Sequence, residues 1–572
     1  MIRAFLIAAA ALVCLGAAKV PTVDYRLGVE PSAAGPGMLR VEIRLRGDAD
    51  GETRLALPDR YGSSEGAWRY LSDLSVRGAT VTSDGPAFRL LRHRPNAKLT
   101  VVYRVRSAYD ADPHWKQGLT YRGAVIRPDW FASRGDLVLA VPEGRDTQPA
   151  RFRWGRLPKG WTAGSDLEHG AMGRPMTLRD VGQSVVMAGA DVAIVRRPIS
   201  RGELRVASLR SGPVPLEPLA DQIAGAVSAQ RSFWNDVEGP HFVAVIPLVR
   251  DGRSKVYGGN GLGDGFVLWS TPDQPDFLRW VVAHEYVHTW IADRVGRVDA
   301  SQRGGHVLWF TEGVADFFTN RTMLRGSRWT AEDVVAQMSE VLKAYDDSPV
   351  RSQPNARVVA DFWKDPNVYK LPHQRGALLA LKWDEEIRSK TGGKVDLDDV
   401  ILRMRDHYLQ FPPGQGPDVV TGLVSAAWVT ARLDLRPDIE RYAVRGEAIP
   451  LPETMFDGCL EVRLFNRPAF DTGFDHQASI AAKKVSGVRR GGPAWNSGLR
   501  NGMALTAWSL QEGDTSKEVQ FTVQPAGRRA KPRVYRYWPY GDERELSTRT
   551  LALKSGLTGE ALAACGRKIG GL

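Results

Sequence analysis

The segment WVVAHEYVHTW, residues 280–290, places two histidines four residues apart, with a glutamate directly after the first. In an α-helix, residues i and i+4 lie on one face, so the imidazoles of His284 and His288 can bind the same ion. Zinc favours such nitrogen ligands. Glu285 lies about 100° further around the helix, where it can take a proton from metal-bound water without binding the metal. The spacing therefore predicts a catalytic zinc helix.

A catalytic zinc site needs a third protein ligand and an open fourth position. His306 lies in the loop-like SQRGGHVLW, whereas Glu312 begins a predicted helix in LWFTEGVADFF. Asp316 comes four residues later and shares a helical face with Glu312. Because metal-bound imidazoles usually donate their other N–H to a carboxylate, we favour Glu312 as the third ligand and Asp316 as the acceptor. One Zn²⁺ per chain is the expected cofactor.

The two motifs together are more specific than either alone. AHEYVHTW followed by WFTEGVADFF resembles the gluzincin metallopeptidases, whose motif joins HExxH to a downstream ExxxD helix. The tryptophan after the second histidine and the W-x-x-E-G setting are similar to the glycyl aminopeptidase family. That family has a β domain, a thermolysin-like catalytic domain and a PDZ domain, in this order. The resemblance implies a zinc metallopeptidase that acts on peptide or protein substrates.

The first departure from the family pattern lies in the glycine-rich segment GGNGLGDGF. Members of the family carry a glutamate in this edge strand, which holds the free amine of the substrate, whereas Asp264 is the acidic residue here. Alternating glycines suit the close approach of a substrate backbone. The predicted substrate-binding residues are Gly259, Asn260, Gly261, Leu262 and Gly263. The departure leaves aminopeptidase and endopeptidase specificity both open.

The second departure concerns the oxyanion of the tetrahedral intermediate. The family places a tyrosine three residues before a helix-starting glycine, where its hydroxyl can stabilise that oxyanion. In YKLPHQRGALLAL, the residue three before Gly376 is His373. An imidazole that donates a hydrogen bond can do the same work. We therefore predict His373 as a catalytic residue, with Tyr369 as the alternative.

Two functions remain open at this point. In the first, Glu285 polarises the bound water, which attacks the scissile carbonyl, and then passes the proton to the leaving amine. In the second, the chain is a catalytically impaired scaffold that holds zinc and binds peptide ends through a PDZ-like domain. The missing glutamate and tyrosine favour the scaffold. The intact Glu285 favours the enzyme, since a site that only holds zinc has no use for a base.

Changes in sequence pattern divide the chain, as its 572 residues require. Residues 19–205 alternate short apolar runs with turn residues, which predicts an all-β, sandwich-like domain. Helical spacing dominates residues 206–455, the expected thermolysin-like zinc domain. In residues 456–572, VSGVRRGGPAWNSGLRNGMAL resembles a PDZ core and is followed by a C-terminal tail. The predicted fold class is multidomain α+β.

The N-terminal residues 1–18 combine an early arginine, a short apolar run and small residues, a pattern typical of a secretory signal peptide. The run is shorter than the about 20 apolar residues that span a membrane. No other segment of the sequence is long and apolar enough to span one. The mature protein is therefore expected to be exported to the periplasm or the cell exterior. Cys459 and Cys565 remain after cleavage, and export favours a disulfide between them.

The net charge of +12 raises the question of a nucleic-acid partner. Such a partner would require the positive charge to gather into a patch. Arginine and lysine are instead scattered along the chain, and the densest runs join no nucleic-acid-binding module. We therefore expect no nucleic-acid partner, and a solvated basic surface is the simpler interpretation.

Overall fold

The computed structural model describes most of the chain in segments. These are residues 21–32, 35–59, 66–109, 123–168, 176–200, 202–212, 215–236, 241–247, 257–262, 265–270, 275–291, 294–298, 306–326, 329–412, 415–525, 531–541 and 545–572. The predicted signal peptide, Gly263 and Asp264 lie outside the described residues. Within the described residues, no helix combines the length and apolar character needed to cross a membrane.

The chain forms two compact units, residues 1–289 and 290–572. The strands of the first unit are β1 (Val23–Ser32), β2 (Gly35–Arg46), β3 (Glu52–Ala56), β4 (Leu71–Arg77), β5 (Ala79–Ser83), β6 (Phe88–His93), β7 (Lys98–Val105), β8 (Val125–Ile126), β9 (Trp130–Arg134), β10 (Val141–Pro142), β11 (Ala150–Trp154), β12 (Thr162–Ser165), β13 (Val185–Gly189), β14 (Val192–Ile199), β15 (Gly202–Leu209), β16 (Phe242–Pro247), β17 (Tyr257–Leu262) and β18 (Gly265–Ser270). Its helices are α1 (Leu178–Gly182), α2 (Leu216–Trp234) and α3 (Pro275–Val287), with 3₁₀ helices at Ala67–Tyr70, Gly135–Leu137 and Asp166–Glu168.

The described strands of this unit form four sheets, with the orders β11-β1-β2-β7-β4, β10-β3-β6-β5, β12-β13-β9-β8 and β14-β15-β16-β18-β17. Strand β2 shows why they form: Leu39, Val41 and Ile43 are fully buried, while the residues between them are more exposed. This alternation is the signature of a sheet with one face on a core.

The last of these sheets positions α3. Strand β16 pairs in parallel with β15 and β18, and β17 pairs antiparallel with β18 at the end of the sheet. Helix α3 is also joined to α2, because Gln230 Nε2 donates to the Ala283 carbonyl (3.2 Å) and Arg231 Nε donates to the Tyr286 hydroxyl (3.1 Å). These buried bonds fix the turn of α3 that carries the HExxH residues.

The second unit is mainly helical. It begins with a π-helix, π1 (Trp309–Val314), and continues with α4 (Ala315–Arg325), α5 (Ala331–Asp347), α6 (Asn355–Asp361), α7 (Pro366–Thr391), α8 (Leu397–Tyr408), α9 (Val419–Ala431), α10 (Arg436–Asp438) and a second π-helix, π2 (Ile439–Val444). The later helices are α11 (His476–Ala482), α12 (Pro493–Ser497) and α13 (Gly559–Gly570), and the strands are β19 (Thr454–Met455), β20 (Leu460–Pro468), β21 (Ala504–Ser509), β22 (Val519–Gln524), β23 (Arg533–Tyr537) and β24 (Glu545–Leu553).

A small module is inserted between two paired strands of this unit. Strands β19, β20 and β24 form one sheet, and the chain between β20 and β24 forms a second sheet of β21, β22 and β23. The module has its own core, which includes Phe474, Leu499 and Phe521. With several sheets and many helices, the fold is α+β, as predicted. The predicted domain boundaries after residues 18, 205 and 455 stay predictions.

Helix α4 is held at its C-terminal half by a buried arginine cluster, which we define as Arg321, Arg325, Asp384, Asp396 and Asp398. Arg321 contacts Asp384 and Asp398 at 2.5 Å each. Burial alone would lower the pKa of the Arg321 guanidinium, but the carboxylates of Asp384, Asp398 and Asp396 outweigh burial and raise the pKa. Its charge is therefore fixed at every accessible pH.

The arginine cluster also holds the C-terminal helix α13. Arg321 Nε donates to the Ile569 carbonyl (3.1 Å), and Arg325 donates to the carbonyls of Gly570 (2.5 Å) and Gly571 (2.7 Å). Cys565 of the same helix forms a disulfide with Cys459. The charged side chains thus satisfy carbonyls that a helix end leaves without intrahelical partners.

Candidate metal centre

The two histidines of the HExxH segment face each other at the end of α3. His284 lies in the last turn of the helix, which ends at Val287, and His288 is the next residue. Their Nε2 atoms are 3.2 Å apart, and the Trp280 ring stacks on His284 with centroids 5.1 Å apart. The segment of residues 280–290 that predicted the helix extends past the observed helix end, but the i, i+4 relation is kept.

The distance between these nitrogens fits a shared zinc ion. Two ligands that bind one zinc at about 2.0–2.1 Å in tetrahedral geometry lie about 3.3 Å from each other. One ligand atom each from His284, His288 and Glu312 lies within 4.8 Å of the others. Two imidazoles and a carboxylate are a donor set that catalytic zinc takes in proteins. The residues present therefore fit the metal that the sequence predicts.

Glu285 is held by the glycine-rich strand β17. Its carboxylate Oε2 accepts a hydrogen bond from the Gly261 backbone N–H at 3.0 Å. A Cβ atom at Gly261 would lie 2.7 Å from the Glu285 carbonyl oxygen, and one at Gly259 would lie 3.0 Å from Glu285 Cγ. The glycines therefore allow the strand to pack directly on the helix, a role that the sequence did not reveal. Substrate binding by residues 259–263 stays a prediction.

Glu312 lies inside π1 and does not begin an α-helix as the sequence predicted. A π turn is rare and occurs often at functional sites. This one crosses α7 at two glycines: a Cβ atom at Gly313 would lie 2.5 Å from Gly376 Cα, and one at Gly376 would lie 1.7 Å from the Trp309 carbonyl oxygen. The crossing fixes Glu312 relative to α7, and its signals in the sequence were the glycines of TEGVA and QRGAL.

Gly376 lies in the interior of α7, which begins at Pro366, and does not start a helix as the glycine of the family pattern does. His373 lies one turn after Tyr369 on this helix, and their ring centroids are 5.6 Å apart. His306, the other candidate ligand, is exposed and belongs to neither group of potential ligands among the described residues. Its carbonyl accepts a hydrogen bond from Asn355 Nδ2 at 2.7 Å.

Asp316 binds the candidate oxyanion residue. Its Oδ2 lies 3.0 Å from His373 Nδ1, a contact that joins α4 to α7. Asp316 and His373 also form a second group with His284, in which one ligand atom of each lies within 4.8 Å of the others. The sequence predicted a carboxylate acceptor at this position but not that His373 would be its partner. The contact with Asp316 through Nδ1 sets the orientation of the His373 ring.

Comparison with known proteins is consistent with this geometry. Residues 277–371 match the family model described as M61 glycyl aminopeptidase, a segment that contains His284, Glu285, His288 and Glu312. No curated protein matches the chain. The fold is similar to the crystal structure of an aminopeptidase N family protein from Idiomarina loihiensis, with a TM-score of 0.67 and 13% sequence identity over 96% of this chain and 100% of that chain.

A weaker similarity is found to a variant of an M1 zinc metallopeptidase from Deinococcus radiodurans bound to a Tyr-Ser-Ala substrate. Its TM-score is 0.48, with 16% identity over 76% of this chain and 95% of that chain. At sequence identities this low, the similar structures indicate the fold alone. The family match supports a peptidase, and the similar structure supports the fold.

Proposed function

We propose that this chain is a zinc-dependent metallopeptidase that hydrolyses peptide bonds. The observation that carries the proposal is the 3.2 Å separation of the His284 and His288 Nε2 atoms beside the Glu312 carboxylate. These three residues would hold the metal. Zinc in such a site supplies Lewis-acid chemistry, since it lowers the pKa of a water molecule to about 7 and polarises a carbonyl.

Glu285 is the base in this proposal. It takes a proton from the attacking water and passes it to the nitrogen of the leaving amine. The hydrogen bond from Gly261 N–H occupies Oε2 and orients the carboxylate, which leaves Oε1 for the proton. A carboxylate held in this way does not have to reorganise during the reaction, which is the usual advantage of a preorganised site.

His373 is the proposed oxyanion donor. Because Asp316 accepts from Nδ1, the imidazolium form of His373 is the form that donates from Nε2. Tyr369 remains the alternative donor, because its ring lies 5.6 Å from the His373 ring.

We propose a PDZ-like domain within residues 456–572 and export of the mature chain. Helix α12 begins after Gly492 and ends at Ser497; Gly498 follows it with φ of 101°, and Leu499 is fully buried. The short helix is thus framed by the Gly-Pro-Ala and Gly-Leu-x-x-Gly motifs of VSGVRRGGPAWNSGLRNGMAL, the segment that resembles a PDZ core. Export rests on the signal-peptide pattern of residues 1–18 alone.

The experiment that tests the function is a peptide-library digest, read by mass, with the zinc content measured on the same samples. Glu285→Gln should keep zinc and lose activity by orders of magnitude, because an amide takes up no proton. Glu340→Gln, an exposed exchange of the same type on α5, is the matched control and should cleave as the parent does. Bound zinc without cleavage by the parent would favour the scaffold. Among active outcomes, loss of N-terminal residues identifies an aminopeptidase and internal cuts identify an endopeptidase.

A further inference from the structure

An exposed group of aromatic side chains lies beside His373. We call it the aromatic ledge and define it as Phe362, Trp363 and Tyr369. The ring centroids of Phe362 lie 4.8 Å from those of Trp363 and of Tyr369, and Trp363 and Tyr369 are 6.2 Å apart. Trp363 is 64% exposed and Tyr369 is 43% exposed, whereas Phe362 is 7% exposed. The ledge is therefore anchored by one buried ring and presents two rings to solvent.

The ledge is continuous with the candidate metal centre. Tyr369 and His373 lie on one face of α7, one turn apart, and their ring centroids are separated by 5.6 Å. His373 in turn binds Asp316. One helix face thus leads from exposed aromatic rings to the proposed oxyanion donor.

Local structure keeps the exposed rings in place. Trp363 lies in the turn between α6 and α7, and Asp365 caps α7 by accepting a hydrogen bond from Asn367 N–H at 2.9 Å. Pro366 then opens the helix with its fixed φ. A large ring that stays exposed on an ordered turn costs hydration free energy, and contiguous exposed apolar rings commonly mark binding sites.

The charges around the ledge favour an apolar ligand. Lys364 Nζ lies 3.4 Å from Asp361 Oδ1, and Asp361 also pairs with Arg357. These residues flank the ledge in the sequence, and their opposite charges pair with each other. A site for an anion or a cation would instead gather one sign of charge. Ligand sites are usually lined by apolar and aromatic side chains with a few polar groups.

The size of the ledge favours one side chain over a protein surface. A buried tyrosine or tryptophan covers about 150–250 Å², so two partly exposed rings offer far less than the about 800 Å² that each partner of a standard protein interface buries. The ring of His373 lies 5.6 Å from that of Tyr369, and the ring of Tyr369 lies 6.2 Å from that of Trp363. Each step corresponds to about two residues of extended peptide. A peptide that passes His373 would bring a side chain over the ledge within about four residues of the scissile bond.

We propose that the aromatic ledge is a substrate subsite that binds an aromatic or bulky aliphatic side chain of the peptide, close to the scissile bond. The subsite rests on the proposed peptidase function and names its substrate class. Ring stacking and removal of apolar area from water would supply the preference. A small or polar side chain at the same position would gain neither.

The test uses peptide pairs that differ only by phenylalanine or serine at one position within four residues of the cut. In the parent, the phenylalanine peptide should have a higher kcat/KM than the serine peptide. Trp363→Ala should lower the ratio of the two kcat/KM values by about tenfold. Trp428→Ala is the matched control, because Trp428 is also half-exposed but lies on α9. An unchanged ratio in Trp363→Ala, or an equal loss in Trp428→Ala, would overturn the subsite while leaving the peptidase function intact.

A binding measurement separates the subsite from catalysis. Calorimetric titration of zinc-loaded Glu285→Gln with the same peptides should show tighter binding of the phenylalanine peptide, and the added substitution Trp363→Ala should remove that difference. This result without cleavage by the parent would support the subsite and reject the proposed peptidase. Equal binding of both peptides would reject the subsite. Sedimentation that shows a parent dimer dissociated by Trp363→Ala would also reject it, because the ledge would then join two copies of the chain.

Discussion

Helix α4 has charged side chains at both ends, and the two ends are organised in different ways. At the C-terminal end, Arg321 and Arg325 face the carboxylates of the arginine cluster and the carbonyls of α13. At the N-terminal end, Asp316 holds His373, and Glu312 of the preceding π turn belongs to a group with His284 and His288. At the C-terminal end, positive and negative side chains alternate. At the N-terminal end, the nitrogen and oxygen atoms of several possible metal ligands lie close together.

The difference teaches how to separate a structural charge cluster from a candidate metal centre. Opposite charges that pair in a buried cluster satisfy one another. Two imidazole nitrogens 3.2 Å apart beside a carboxylate would instead be satisfied by a shared cation. We expect substitutions at the first end to change stability and substitutions at the second to change zinc affinity and activity.

The largest effect should follow from Glu312→Gln. The amide removes the anionic ligand, so zinc affinity should fall by several orders of magnitude and peptide hydrolysis should be lost with it. Zinc content after dialysis against a chelator measures the first effect. The unfolding midpoint of the zinc-free variant should match that of the zinc-free parent. Retention of one zinc per chain would show that Glu312 is not the third ligand and that the two ends differ less than we propose.

The opposite pattern is expected for Arg321→Met. Removing one partner of a buried ion pair leaves carboxylates without their cation, which typically costs about 3–5 kcal/mol. Urea unfolding at constant zinc should show this loss, while the folded variant should still bind one zinc. If Arg321→Met unfolded like the parent but had lost its zinc, the two ends of α4 would have roles opposite to those we assign.

Gly376→Ala, at the crossing of π1 and α7, should lower both the free energy of unfolding and the zinc affinity, each by a smaller amount. The new methyl group would overlap the Trp309 carbonyl, and overpacking of this kind costs about 1–3 kcal/mol. Because the crossing also holds Glu312, zinc affinity should fall as well. Gly422→Ala on α9 is the control, since its methyl group would meet Met404 Cε at an ordinary 3.5 Å. A loss of stability with unchanged zinc affinity would show that the crossing does not position Glu312.

The parts of the centre that follow a helical period could be predicted from the sequence. His284 and His288 are one turn apart, and that spacing alone brings their nitrogens together. Where α3 ends could not be predicted, because the apolar pattern continues beyond Val287. The π turn at Glu312 was also hidden, since a few residues cannot distinguish its period from that of an α-helix.

Contacts between distant segments were beyond the sequence. The Asp316–His373 pair joins residues 57 apart, and nothing local to either residue identifies the other. The glycines of β17 suggested room for a substrate, but the structure shows that they also admit the backbone and side chain of Glu285. A glycine pattern indicates a close approach by other atoms, but it does not distinguish a substrate from another part of the chain. The α+β class, by contrast, rests on local periodicities and was predicted correctly.

The most direct test of the central claim is zinc K-edge X-ray absorption on the purified, zinc-loaded protein. We predict one zinc per chain in a four-coordinate shell of nitrogen and oxygen at about 2.0–2.1 Å, with the multiple-scattering signature of two imidazoles. In His288→Ala that signature should fall to one imidazole. A sulfur shell, a six-coordinate oxygen shell, or an imidazole signal unchanged in His288→Ala would contradict the assignment of His284, His288 and Glu312 as the zinc ligands.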